Sequence, residues 1–198
     1  MEGINYSDQY RCWEGQINVK HFDGEVFSLR IFVDSTNSLT EADYHTLTYV
    51  KEHFAEIYEN ILHTLFEWQQ SNGMTFEVFD EEKSTFDRIL FDSKEEIHPL
   101  LGEPILEIIP GYEKENLSYY CIRFDHCLLS IEHGFNALCH KNDVIEIEAC
   151  EIIPLLEALS YFEKDYSRWE KDFWKVKFKF NAELYSERDA VREMWLKN

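Results

Sequence analysis

Six side chains able to bind a metal or move a proton crowd into twenty residues: Cys121, His126, Cys127, His133, Cys139 and His140. Thiolates and imidazoles are the usual ligands of zinc, but a closed site needs a spacing that lets them converge. No Cys-x-x-Cys and no His-x-x-x-His occurs in this run. Cys139 and His140 are chain neighbours in an extended segment, so they point to opposite faces. The expectation is no metal and no cofactor. A second chemistry is proton transfer by Glu132 and His133. Imidazole titrates near neutrality, and a carboxylate can orient it. Adjacent residues diverge unless the chain bends, and Gly134 is where it could. No Gly-x-Ser-x-Gly, no phosphate-binding glycine loop and no His-Glu-x-x-His accompanies the pair. The favoured reading is structural. Gly134 takes a positive backbone angle, and Glu132 and His133 satisfy backbone groups in the turn. The alternative is a metal-dependent hydrolase using Glu132 and His133, with His126 or His140.

These residues need a sheet to hold them. Tyr120, Ile122 and Phe124 alternate with Cys121, Arg123 and Asp125, which predicts a strand. Phe135 to His140 predicts a second strand, Lys141-Asn142-Asp143 a turn, and Val144 to Ile147 a third. Three antiparallel strands in sequence are expected, with the Glu-His-Gly phrase between the first two.

Phe124-x-x-Cys127, Glu132-His133-Gly134 and His140-Lys141-x-x-Val144-Ile145 resemble a bacterial family of uncharacterised domains. Its members carry an aromatic strand, a Trp-Asp-x-Glu-His-Gly-x-Gly turn, and a strand ending in His and a basic turn. Many sit beside polymorphic toxins and are presumed immunity proteins. Leu129 and Ser130 stand where that pattern has Trp-Asp, and Asn136 replaces its second Gly. The resemblance covers roughly residues 12–150. It implies an immunity-like protein with Phe124, Cys127, Glu132, His133, Gly134 and His140 as motif residues.

Upstream, Cys12 to Val19 reads as a strand, Phe22-Asp23-Gly24 as a turn, and Glu25 to Val33 as its partner. Ser38-x-x-Glu41 predicts a capping box. From there Tyr44, Leu47, Val50, Phe54, Ile57, Ile61, Leu65 and Trp68 trace one stripe of a helix over about Thr40 to Ser71. Glu59 and His63, four apart on it, could meet as a solvated pair. Met74 to Asp80 reads as a brief strand and Glu81 to Asp87 as a loop or short helical turn. A helix start at Ser93 to Glu96 is cut short by Pro99. Ile105 to Ile109 reads as a strand ended by Pro110-Gly111. The fold class is α+β: a mostly antiparallel sheet packed against one long amphipathic helix, with a C-terminal helical and strand appendage. Residues 1–150 form the domain, and residues 151–198 an extension packing on it. Within the extension, Pro154 opens a helix, Trp174 to Phe180 alternates as a strand with a lysine row, with a continuous helix through it as the alternative, and Asn181 caps a last helix.

The formal net charge of −20, from 39 acidic and 19 basic side chains, repels phosphate backbones and anionic lipid. Nucleic acid and membrane are therefore excluded as partners, and a cationic protein is favoured. No run approaches the ~20 apolar residues that span a bilayer. Five cysteines and an N-terminus without a signal-peptide pattern predict reduced thiols in a cytoplasm. The expected function is a non-enzymatic acidic binding protein that neutralises a toxin, with a regulatory interaction module as a further alternative. Its expected partner is a protein, for which a basic toxin domain fits, and the expected contacts are Glu113, Glu115, Glu163 and Trp169.

Overall fold

The computed structural model describes residues 3–21, 23–72, 76–80, 82–125, 127–129 and 134–148. In chain order these form β1 (Ile4–Ser7), β2 (Cys12–Lys20), β3 (Val26–Val33), α1 (Glu41–Asn72), β4 (Phe76–Asp80) and β5 (Thr85–Ile89). A 3-10 turn (Lys94–Glu96), α2 (His98–Leu101), β6 (Pro104–Lys114), β7 (Leu117–Phe124), β8 (Phe135–His140) and β9 (Asp143–Glu148) follow. Seven strands make one sheet in the order β1-β2-β3-β6-β7-β8-β9, and β4 and β5 pair separately. All neighbours are antiparallel except β3 and β6, which run parallel with Arg30 opposite Ile105 and Val33 opposite Ile108. A parallel pair needs a long crossover, and α1 lies within the segment that supplies it. The fold is thus α+β, mostly antiparallel, with one long helix. The expected appendage, including Trp174 to Phe180, lies outside the described residues.

Alternation decides which side chains meet the helix. Leu29, Ile31 and Val33 of β3, Leu106 and Ile108 of β6, and Tyr120, Ile122 and Phe124 of β7 belong to one core cluster. From α1 come Leu47, Val50, Phe54, Ile57, Tyr58, Ile61, Leu62 and Leu65. Each such side chain taken from water stabilises the fold by roughly 1.5–3 kcal/mol. Tyr44, expected in that stripe, is instead exposed, because Ala42, Asp43 and Thr46 hold the buried positions of the first turns.

The helix starts where expected, but its capping box lies two residues later. Thr40 and Asp43, not Ser38 and Glu41, close the box. The Asp43 amide donates to Thr40 Oγ1 (3.2 Å), and the Thr40 amide donates to Asp43 Oδ2 (2.8 Å). The cause lies across the fold. Ser118 Oγ on β7 donates to Asp43 Oδ1 (2.6 Å), and the Ser118 amide donates to Thr46 Oγ1 (2.8 Å). Three further expectations are corrected. Thr85 to Asp87, expected within a loop or short helical turn, instead belong to β5 and pair with β4. β6 continues through Pro110-Gly111 by shifting register between Ile108 and Glu113, because a bulge accommodates the missing amide. Glu59 pairs with Lys94 (2.5 Å), while His63 lies 3.3 Å from Glu67. Tight turns close both hairpins that follow. Glu115 and Asn116 both have positive φ, as a two-residue hairpin turn requires, and Lys141 is the left-handed residue before β9.

Candidate functional site

The motif residues divide between the core and the turn. Phe124 and Cys127 are buried in the cluster beneath α1. Gly134 has φ +64, and a Cβ placed on it would lie 2.3 Å from the Phe124 carbonyl oxygen and 3.2 Å from Asp125 Cα. Backbone therefore passes over backbone here with no room for a side chain. His140 is buried on the sheet face turned away from α1. Its Nε2 lies 2.9 Å from the Lys114 carbonyl oxygen, and its ring is 4.9 Å from that of Tyr119. Cys121 and Cys139 point to opposite faces, and burial pushes both thiols up, which keeps them protonated and poorly nucleophilic. Among the described residues no group of three or more His, Cys, Asp or Glu side chains is placed to hold a metal ion. Glu132, His133 and His126 lie outside the described residues.

The structure assembles a different cluster at the end of the sheet where β3 and β6 begin. His21 leaves β2, Tyr58 comes from the middle of α1, and His98 opens α2. The His21 ring lies 4.6 Å from that of Tyr58 and 4.7 Å from that of His98. Tyr58 Oη and His98 Nδ1 are 2.8 Å apart. Burial pushes the Tyr58 phenol up, so it keeps its proton. Burial, followed by the neighbouring His21, lowers the His98 imidazole below its ordinary value, against a smaller opposing pull from Asp23. Asp23 Oδ1 lies 3.4 Å from His21 Nδ1, and its carboxyl is held low chiefly by the Glu25 amide. These groups line a cleft of about 530 Å³, whose wall also carries Glu103 and Asp125. Asp125 is the residue against which Gly134 packs, so the motif turn abuts the cleft wall. The arrangement gathers two imidazoles, a protonated phenol and carboxylates around one cleft. Sequence reasoning missed it because His21, Tyr58 and His98 are 37 and 40 residues apart and Tyr58 reads as a core position.

The acidic surface has a definite place. Residues 1–148 hold 29 acidic and 10 basic side chains, whereas residues 149–198 hold 10 and 9. Nearly all the excess therefore belongs to the α+β body. Glu41, Glu52, Glu56, Glu59 and Glu67 lie exposed along the outer side of α1, with Lys51 the one lysine or arginine in the helix. Several cations of the body are already neutralised. Lys83 meets Asp80 (2.7 Å) and Asp87 (2.9 Å), and Arg123 meets Glu107 (2.8 Å) and Asp125 (3.0 Å). Lys141 pairs with Glu115. Of the expected contact residues, Glu113 and Glu115 are both exposed on the β6–β7 hairpin, but Glu115 is engaged by Lys141. Glu163 and Trp169 lie outside the described residues. Set against known proteins, the chain matches no family model, no curated protein and no solved structure.

Proposed function

We propose that this chain is a non-enzymatic acidic binding protein with an immunity-like role, capturing a cationic toxin domain and blocking it. The observation that carries the reading is the outer side of α1, where Glu52, Glu56 and Glu67 stand exposed with Lys51 as the helix's single lysine or arginine. A rigid helix presenting carboxylates complements a basic groove of the kind that holds a nucleic-acid substrate, and steers encounter with it. The motif resemblance supplies the toxin context. The test is pull-down with the product of the neighbouring gene, followed by titration at several salt concentrations. Replacing Glu52, Glu56 and Glu67 together by Lys is expected to slow association by roughly 10–1000-fold while leaving the fold intact. Failure to bind any adjacent effector, or binding that ignores both salt and the triple variant, refutes the proposal.

A second reading has one observation in its favour: the Gly134 turn abuts the wall of the His21–Tyr58–His98 cleft. The competing reading is a hydrolase using Glu132 and His133. Metal analysis of the purified chain, with hydrolysis assays on the metal-loaded protein, distinguishes the two. A stoichiometric ion together with turnover that Glu132→Gln abolishes would favour the enzyme.

A further inference from the structure

We infer that the cleft where β3 and β6 begin is a binding pocket for a small organic cation of the alkylguanidinium or alkylamine class. The inference is independent of the toxin reading, whose surface is the outer side of α1. The pocket is a notch in the sheet. Along β3, Val26 to Leu29 pair with β2, but β6 joins only from Arg30, which lies opposite Ile105. On the far side Pro104 opens β6 opposite Phe124, where β7 ends. β3 and β7 run in opposite directions, so the first residues of one and the last of the other flank the same gap. Its lining takes Ser28 and Arg30 from β3, with Glu103 and Asp125 from the chain on either side of the β6–β7 pairing. Tyr58 and His98 reach it from the helices. Its volume of about 530 Å³ falls within the roughly 300–1,000 Å³ typical of small-molecule sites.

The lining selects the ligand. Phe27 and Tyr58 supply ring surface, and other rings hold both in place. The His21 ring lies 5.7 Å from Phe27 and 4.6 Å from Tyr58, and Phe54 packs 5.3 Å from Phe27. Fixed aromatic rings attract a cation through their quadrupole, most strongly where water is partly excluded. Charge points the same way. Asp23, Glu25, Glu103 and Asp125 line the cleft against one guanidinium, that of Arg30. Arg123 already meets Asp125, and Asp23 lies beside His21. Glu25 and Glu103 are exposed and meet no lysine or arginine among the described residues. Burial holds the His98 imidazole low, so near neutral pH it adds little positive charge to the site. An anion would face these carboxylates with Arg30 as its main support. A neutral ligand would answer the rings but not the two open carboxylates. A cation answers both, and a planar guanidinium can stack on a ring while pairing with a carboxylate at its edge.

Titration of the full chain with propylguanidinium at neutral pH, followed by the ring-proton NMR signals of His21 and His98, tests the inference. Saturable shifts with a Kd of about 1 mM or tighter are expected. Propylurea, the uncharged isostere, and inorganic phosphate should not reproduce them. Changing the exposed pair Glu25→Gln and Glu103→Gln together should weaken binding at least about ten-fold. The same loss of charge outside the cleft, Asp8→Asn with Glu82→Gln, should change it by less than about two-fold, since exposed distant charges are screened by salt. Arg30→Gln should tighten binding, because it removes the cleft's own cation. No saturable shift, an equal response to propylurea, or saturation by phosphate instead would overturn the inference. So would an equal loss in the two double variants, which would make the effect one of net charge, or weaker binding in Arg30→Gln, which would mark the site as one for anions.

Discussion

Replacing Gly134 by Ala separates two costs that the motif glycine carries. The first is conformational. Gly134 sits at φ +64, where a residue with a Cβ costs about 1–2 kcal/mol. The second is steric. The added Cβ would stand 2.3 Å from the Phe124 carbonyl oxygen, roughly 1 Å inside ordinary contact, and that oxygen is backbone rather than a flexible side-chain tip. Relieving such an overlap means moving the end of β7 away from the start of β8, where Phe124 pairs with Phe135. Overpacking of this kind costs typically about 1–3 kcal/mol. The total of about 2–5 kcal/mol is a large part of the 5–15 kcal/mol that holds a domain folded. Two other glycines isolate the first cost. Gly24 (φ +89) and Gly111 (φ +83) also have positive φ, but a Cβ on either meets nothing within 4 Å. Urea denaturation of the three Ala variants is the assay. At a slope of about 2 kcal/mol/M, Gly134→Ala should unfold about 0.5–1.5 M earlier than Gly24→Ala or Gly111→Ala, with the slope unchanged. Equal midpoints for all three would refute the argument that the turn is built around a backbone crossing.

Asp43→Ala strips the acceptor from the Thr40 amide and the buried Ser118 hydroxyl, and should cost about 2–3 kcal/mol in the same assay, with Asp43→Asn losing less. Arg123→Met leaves the nearly buried Glu107 carboxylate without its partner and should cost about 3 kcal/mol or more, most of which Glu107→Leu in the same chain restores. His98 is lowered in the folded chain, so the unfolded chain binds its proton first. Stability should therefore hold above the ordinary value of 6.5 and fall as pH drops through the folded value, and His98→Asn should flatten that decline while keeping a hydrogen-bonding partner for Tyr58. Asp23, also lowered, faces the same cluster but keeps its contribution until well below that window, so it leaves the sign unchanged. Raising salt from 0.01 to 0.15 M shrinks the Debye length from about 30 to about 8 Å, which should raise the melting temperature of the free protein and weaken its hold on a cationic partner.

Local periodicity made much of this fold legible. The β2–β3 hairpin, α1 and the β7–β8–β9 run each repeat apolar residues at the period of their own element, so strand and helix separate without knowledge of the rest. What failed was decided elsewhere in the chain. Two overlapping cap patterns occur before α1, and only Ser118, 75 residues away on β7, selects Thr40–Asp43. Pro110-Gly111 looks like a stop, because one strand alone does not show that its partner tolerates a bulge. Thr85 to Ile89 is exposed on nearly every side chain, so no buried face marks it as a strand. The parallel pairing of β3 with β6 leaves no local trace at all. For the same reason the motif turn stood out while the His21–Tyr58–His98 cleft did not. The turn is contiguous in sequence, whereas the cleft exists only once three distant elements have met.

The proposed function accounts for charge on α1 that the fold does not need. Glu52 and Glu56 are four apart, so like charges neighbour each other on the helix surface at a cost of about 0.2–0.5 kcal/mol, whereas Glu59 is met by Lys94. The last turn, where the helix dipole favours cations, carries none. His45, His53 and His63 each approach a carboxylate, at 3.8, 3.8 and 3.3 Å. A helix selected for stability would alternate Lys with Glu along this side. Solubility also favours a charged surface, but it is met as well by mixed signs with a modest excess, and it does not call for the excess to gather on one element. The buried side of α1, which includes Phe54 and Tyr58, packs into the core shared with the seven-stranded sheet. Under the proposed function, an opposing positive surface completes the carboxylates that α1 leaves exposed on its other side.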